Sequence, residues 1–172
     1  MPTKRGAGGR QQNYDPRTGR FAKTNFALLF PPQPPTRKEK ARKKEAQRRE
    51  LLFHRAKNSR DPLVFDVFCA IEAELPGSVQ FVNEYKFDPF LGHKRKFDII
   101  TKKCIIEVKS GEVSRRLKQL KGQMNYAKSK NKHHVLYAPG IRLATKKDYE
   151  KHGITIKTTI KDLIQQIKEN GR

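Results

Sequence analysis

Three charged residues stand where a strand pair of a small domain would normally carry apolar side chains. In RKFDIITKKCIIEVKSG (Arg95 to Gly111), Asp98 lies in one short apolar run, and Glu107 and Lys109 lie in and just after the next. Side chains alternate along a strand, so Glu107 and Lys109 share a face. With Lys102-Lys103 as the centre of a hairpin, Thr101 opposes Cys104, Ile100 opposes Ile105, and Asp98 falls opposite Glu107. A four-residue loop on the same centre keeps that pairing. It is the favoured form, because lysine is poor at the positive φ angles of the tightest hairpin turns. Opposed side chains have Cβ atoms about 4.5–5.5 Å apart, and like charges there are destabilising. A hard divalent cation, Mg²⁺ or Mn²⁺, resolves the conflict, since such an ion is held by one or two carboxylates plus water and phosphate oxygens. Lys109, one pleat along, then lies where an ammonium orients or activates an attacking water, or stabilises developing negative charge. A second reading uses the same residues as an ordinary ion-pair cluster on a solvent-facing sheet.

The elements around this hairpin follow from local signals. Asp61 as N-cap and Pro62 at the first helical position open a helix to about Leu75, which Pro76-Gly77 ends; its apolar stripe is Val64, Val67/Phe68, Ile71 and Leu75. Val79 to Phe87, Lys96 to Ile100 and Cys104 to Val108 read as strands. A helix from about Glu112 to Ser129 shows Val113, Leu117, Leu120, Met124 and Ala127 on one face. His133 to Ala138 reads as a strand, Thr145 to Lys151 as a short helix, ITIKT as a short strand, and Thr159 to Glu169 as an amphipathic helix. The order α-β-β-β-α-β with additions predicts an α/β domain, a mixed sheet flanked by helices, over residues 61–172.

Before it, Gly6, Gly8, Gly9, Gly19 and the proline cluster of FPPQPP mark residues 1–35 as a disordered basic arm, with a turn at Asp15-Pro16. Residues 36–58 read as a basic helix, with Thr36 as N-cap and Glu39→Lys43 and Glu45→Arg49 in the favourable i,i+4 order. The chain of 172 residues carries a net charge of +22; residues 1–60 hold 17 Lys/Arg against 4 acids. Such an excess repels itself unless a polyanion neutralises it, so nucleic acid is the leading partner, with an anionic membrane surface second. Cys69 and Cys104 sit in apolar runs and read as buried hydrophobes in a reducing compartment. No apolar signal region opens the chain and no apolar run approaches spanning length, which points to the cytoplasm and no membrane.

Asp98 followed nine residues later by Glu107-Val108-Lys109, on adjacent strands after a helix and before a long one, resembles the PD-(D/E)XK nuclease superfamily, which includes restriction endonucleases, Holliday-junction resolvases and RecB-type nucleases. The resemblance covers roughly Asp61 to Ala138. It implies a restriction-endonuclease-like αβββαβ core and a metal-dependent endonuclease. Asp98, Glu107 and the backbone carbonyl of Val108 would bind Mg²⁺ or Mn²⁺, and Lys109 would assist the water. Phe97 stands where the motif has proline. The superfamily often adds an acid from the first helix, for which Glu72 is the candidate chosen over Asp66 and Glu74. RecB-like members carry a Gln and a Tyr on the helix after the Lys, which points to Gln123, with Gln119 and Tyr126 beside it. Resolvase and restriction relatives commonly dimerise, so a homodimer is also implied.

Arg115 and Arg116, at the start of the helix after the motif, and Lys43, Lys44, Arg48 and Arg49 on the basic helix are the candidate nucleic-acid contacts. Gly122 marks close packing or the close approach of a substrate backbone. Two functional readings follow: a metal-dependent nuclease with DNA favoured over RNA, and a noncatalytic basic nucleic-acid-binding protein on the same fold.

Overall fold

The computed structural model describes residues 14–15, 20–21, 34–89, 92–111, 113 and 117–171. The chain divides into two units, Met1–Ala41 and Arg42–Arg172. In the first, β1 (Tyr14–Asp15) pairs antiparallel with β2 (Arg20–Phe21), so the segment read as a disordered arm contains a short two-stranded ribbon.

Helix α1 (Arg37–Lys57) begins at a reciprocal cap. Glu39 N–H donates to Thr36 Oγ1 at 3.2 Å, and Thr36 N–H donates to Glu39 Oε2 at 2.7 Å. Thr36 is thus the N-cap expected, but the Glu39 carboxylate turns back to it and not forward to Lys43. Glu45 does bind Arg49, at 3.3 Å, and Arg48 as well.

In the second unit five strands form one sheet in the order β3-β4-β5-β6-β7: β3 (Val79–Asp88), β4 (His93–Thr101), β5 (Cys104–Val108), β6 (His133–Tyr137) and β7 (Thr155–Lys157). The first three are antiparallel, and β6 and β7 continue parallel to β5. Helices α3 (Leu117–Ser129) and α4 (Leu143–Lys151) are the crossovers of the parallel part and cover one face. Helices α2 (Pro62–Glu74) and α5 (Ile160–Gly171) cover the other. This is an α/β architecture with a mixed sheet between helical layers, and its elements follow the expected order.

The main core joins Val64, Val67, Phe68 and Ile71 of α2 to Ile99, Ile106, Val108 and Val135 of the sheet and to Leu163 and Ile167 of α5. Leu52 and Ala56 belong to it too, so the last turns of α1, read from sequence as a separate basic helix, are part of the domain's core. Strand β4 extends three residues earlier than its apolar run, because His93, Lys94 and Arg95 complete the ladder opposite Asp88, Phe87 and Lys86. On the other face Arg95 forms a buried ion pair with Asp88 at 2.9 Å and donates to the Gln119 carbonyl at 3.0 Å. A Cβ on Gly122 would stand 2.7 Å from that guanidinium, so close packing of Arg95 accounts for this glycine.

Candidate active site

The hairpin of β4 and β5 has the expected register. Ile100 pairs with Ile105 and Ile99 with Ile106, the register that by counting carries Asp98 toward Glu107. Thr101 Oγ1 accepts from Cys104 N–H at 2.9 Å and closes the loop over Lys102-Lys103. Neither lysine has a positive φ, in keeping with the longer loop.

Asp98 sits where the pairing lapses on both sides. The β3–β4 pairing passes from Val82–Ile99 to Glu84–Phe97 and skips Asn83–Asp98, and Asn83 holds a φ of 50°. Asparagine tolerates this left-handed conformation better than most residues. Its side chain holds the position: Nδ2 donates to the Arg55 carbonyl at 2.8 Å. Strand β4 changes phase here. Phe97 and Ile100, three residues apart, both pack under α3, whereas Ile99 packs under α2. The β4–β5 ladder also stops at Ile99–Ile106 although both strands run on, and Asp98 Oδ2 accepts the Val108 N–H at 3.0 Å. In a strand the N–H and C=O of one residue point to the same side. The Val108 carbonyl therefore faces the same opening as the Asp98 carboxylate.

Glu107 is 4% exposed and Asp98 9%. Lys109 Nζ lies 2.6 Å from Glu107 Oε1 and 3.9 Å from Asp98 Oδ2. Gln123, fully buried, donates from Nε2 to Glu107 Oε2 at 2.8 Å. Burial above all, and then the charge of Asp98, push the Glu107 carboxyl up from its ordinary range; Lys109 and Gln123 oppose that rise. Two carboxylates thus share one ammonium in a nearly dry site, leaving one formal negative charge. Gln123 Oε1 is buried there without a hydrogen-bond partner among the described residues.

Asp98, Glu107 and the Val108 carbonyl form a set of hard oxygen donors, and a divalent cation with its own water ligands fits both that chemistry and the surplus charge. No third carboxylate, histidine or cysteine joins them in a metal-holding group among the described residues.

Four of the expected site residues come together: Asp98, Glu107, Lys109 and Gln123. Glu72 does not. It lies near the far end of α2, about 16 Å along the helix from Asp61 at 1.5 Å per residue. Its carboxylate accepts from Gly77 N–H at 2.9 Å and from Val79 N–H at 3.2 Å, which closes the α2–β3 turn. Asp66 is exposed, and Glu74 pairs with Lys168 at 3.2 Å. The acid of α2 that does approach the motif is its N-cap, Asp61. Oδ1 accepts from Leu63 N–H, while Oδ2 accepts from Ser110 N–H at 3.2 Å and Ser110 Oγ at 2.8 Å, directly after Lys109. Sequence reading assigned Asp61 only the cap; the second oxygen was free in that account, and this was the available signal.

The helical face of α3 is rotated from the one expected: Gln123 and Tyr126 are buried, while Met124 is half-buried. Tyr126 stacks on Phe97 at 4.8 Å, and Gln119 is exposed. Among the expected nucleic-acid contacts, Lys43 and Lys44 are exposed. Arg49 binds Glu45. Arg48 is engaged within the fold: its guanidinium donates to the Val79 carbonyl at 2.8 Å and to Glu45, which fastens α1 to β3. Arg115 and Arg116 lie outside the described residues. No helix among the described residues is long and apolar enough to cross a membrane.

Comparisons with protein-family models, with curated proteins and with solved structures return no match for this chain.

Proposed function

We propose that this chain is a metal-dependent nuclease of restriction-endonuclease-like fold, a member of the PD-(D/E)XK group, that hydrolyses phosphodiester bonds with DNA as the favoured substrate. The observation that carries the reading is the pair of buried carboxylates of Asp98 and Glu107, bridged by Lys109 beyond the end of the β4–β5 ladder.

Asp98, Glu107 and the Val108 carbonyl would hold Mg²⁺ or Mn²⁺, which supplies a Lewis acid for the phosphoryl oxygen and lowers the pKa of bound water. The chain's own residues do the rest. The Val108 N–H fixes one oxygen of Asp98. Gln123 fixes one oxygen of Glu107 and leaves the other toward Lys109. Lys109 orients the attacking water and offsets charge that builds on the phosphate. The basic residues of the chain grip the phosphate backbone by counterion release.

The noncatalytic reading has one observation in its favour: Lys109 already bonds Glu107 as an ordinary ion pair. Calorimetric titration of Mn²⁺ into wild type and Asp98→Asn separates the two. The nuclease reading expects one specific site that the substitution abolishes; heat of dilution alone with wild type would overturn it.

A further inference from the structure

The outer half of the β3–β4 hairpin carries an aromatic face whose purpose the fold does not explain. Tyr85 is 62% exposed and Phe87 60%. They are two residues apart on β3, so they point the same way, roughly 7 Å from one another. Each is matched across the ladder by a lysine: Tyr85 pairs with Lys96 and Phe87 with Lys94. The opposite face of the same strand is engaged, with Lys86 over the Phe81 ring at 4.0 Å and Asp88 bound to Arg95.

Alongside this face runs an open groove of about 720 Å³, lined by Leu51, His54 and Arg60 from the end of α1 and the linker after it, and by Tyr85 and Lys96 from the hairpin. Its one carboxylate, Glu84, is neutralised by Arg55 and by Lys86. Arg60 and Lys94 are exposed, so the surface presents cations around two bare rings.

We propose that this face binds a single strand of nucleic acid, with bases stacked on Tyr85 and Phe87 and phosphates along Lys94, Lys96 and Arg60. A single strand is the fitting occupant because its bases can be splayed out and laid on aromatic rings, whereas those of a duplex are already stacked on one another. Exposed aromatics alone would fit many partners. Aromatics alternating with lysines, beside a groove without a free carboxylate, match a chain of bases on a polyanionic backbone. The site is separate from the Asp98–Glu107 pair and does not need that pair to be catalytic. If the chain is a nuclease, the face supplies the single-stranded part of its substrate.

The test is fluorescence anisotropy with labelled oligo-dT, oligo-U and a blunt DNA duplex of equal length, at several salt concentrations, without divalent metal. The proteins are wild type, Tyr85→Ala/Phe87→Ala, Tyr85→Phe and Lys94→Gln/Lys96→Gln. The double alanine variant is expected to lose about tenfold or more on the single strands and little on the duplex. Tyr85→Phe, which keeps the ring, should bind as wild type. The lysine variant should lower the single-strand salt slope by about 1.4, two contacts at 0.7 each. Oligo-dT and oligo-U show whether the strand bound is DNA, RNA or both. Equal loss on duplex and single strand, or wild-type affinity in the double alanine variant, would overturn the proposal. The assay holds no divalent metal and reads binding, not cleavage, so its outcome is distinct from any failure of the nuclease reading.

Discussion

Gln123 and Glu107 meet in the dry interior of the sheet–helix interface, with Nε2 of one 2.8 Å from Oε2 of the other. The contact joins α3 to β5 and does so at a residue whose ionisation is opposed by burial and by Asp98. A surface salt-bridge cluster has no need of such a support. A carboxylate that must stay ionised and correctly turned while buried does.

Replacing Gln123 by Met keeps the volume close and removes the donor. The Glu107 carboxyl is then expected to rise further, and divalent-metal affinity to fall by about 10- to 100-fold, the range for residues that orient a ligand. Proton-coupled NMR titration of the labelled glutamates and calorimetry with Mn²⁺ check the two parts separately.

Glu72 gives the converse. Its two oxygens accept the Gly77 and Val79 N–H groups at the α2–β3 turn. Glu72→Ala should cost about 1–3 kcal/mol of stability in urea unfolding. Metal affinity and cleavage per folded molecule should stay as in wild type.

His134 on β6 is buried, and neither ring nitrogen has a hydrogen-bond partner among the described residues. Burial, with a contribution from the Arg95 charge, holds its pKa down at about 4 against 6.5 ordinarily. The unfolded chain therefore takes up a proton between pH 6.5 and 4 that the folded chain refuses, and stability falls as pH falls through that window. Above 6.5 both states are neutral there and the effect vanishes. The full loss is of order 3 kcal/mol, at 1.36 kcal/mol per pKa unit. Glu107 works with the opposite sign, because its raised carboxyl gains from protonation. The difference between wild type and His134→Leu in denaturant midpoint across pH 4–7 isolates the histidine, and a pH-independent difference would contradict this account.

Much of the site was legible because strand geometry is arithmetic. Once Lys102-Lys103 is the loop centre, the placing of Asp98 opposite Glu107 follows by counting; the two pairs that form, Ile100–Ile105 and Ile99–Ile106, have that register, and the ladder ends one step short of Asp98. The misplacement of Glu72 has a physical cause. Its partners are backbone N–H groups of a turn, which have no signature in side-chain type, so a helical acid near an apolar stripe looked free. Gln123 was named through the resemblance, and its complete burial was hidden because a polar residue reads as exposed until its partner, Glu107, is seen on the sheet. His93 to Arg95 looked like loop by composition, and tertiary pairing with β3 overrides that weak preference. The phase change at Asp98 was invisible, since it depends on the positive φ of Asn83 on the neighbouring strand.

The most direct measurement is cleavage by wild type and Glu107→Gln, with Mg²⁺, Mn²⁺ or EDTA, on plasmid, single-stranded DNA, a four-way junction and RNA. The account predicts cleavage of at least one substrate that needs the metal, stops with EDTA and is lost in the variant. Substrates left intact in every lane while binding persists, or cleavage undiminished in Glu107→Gln, would contradict it.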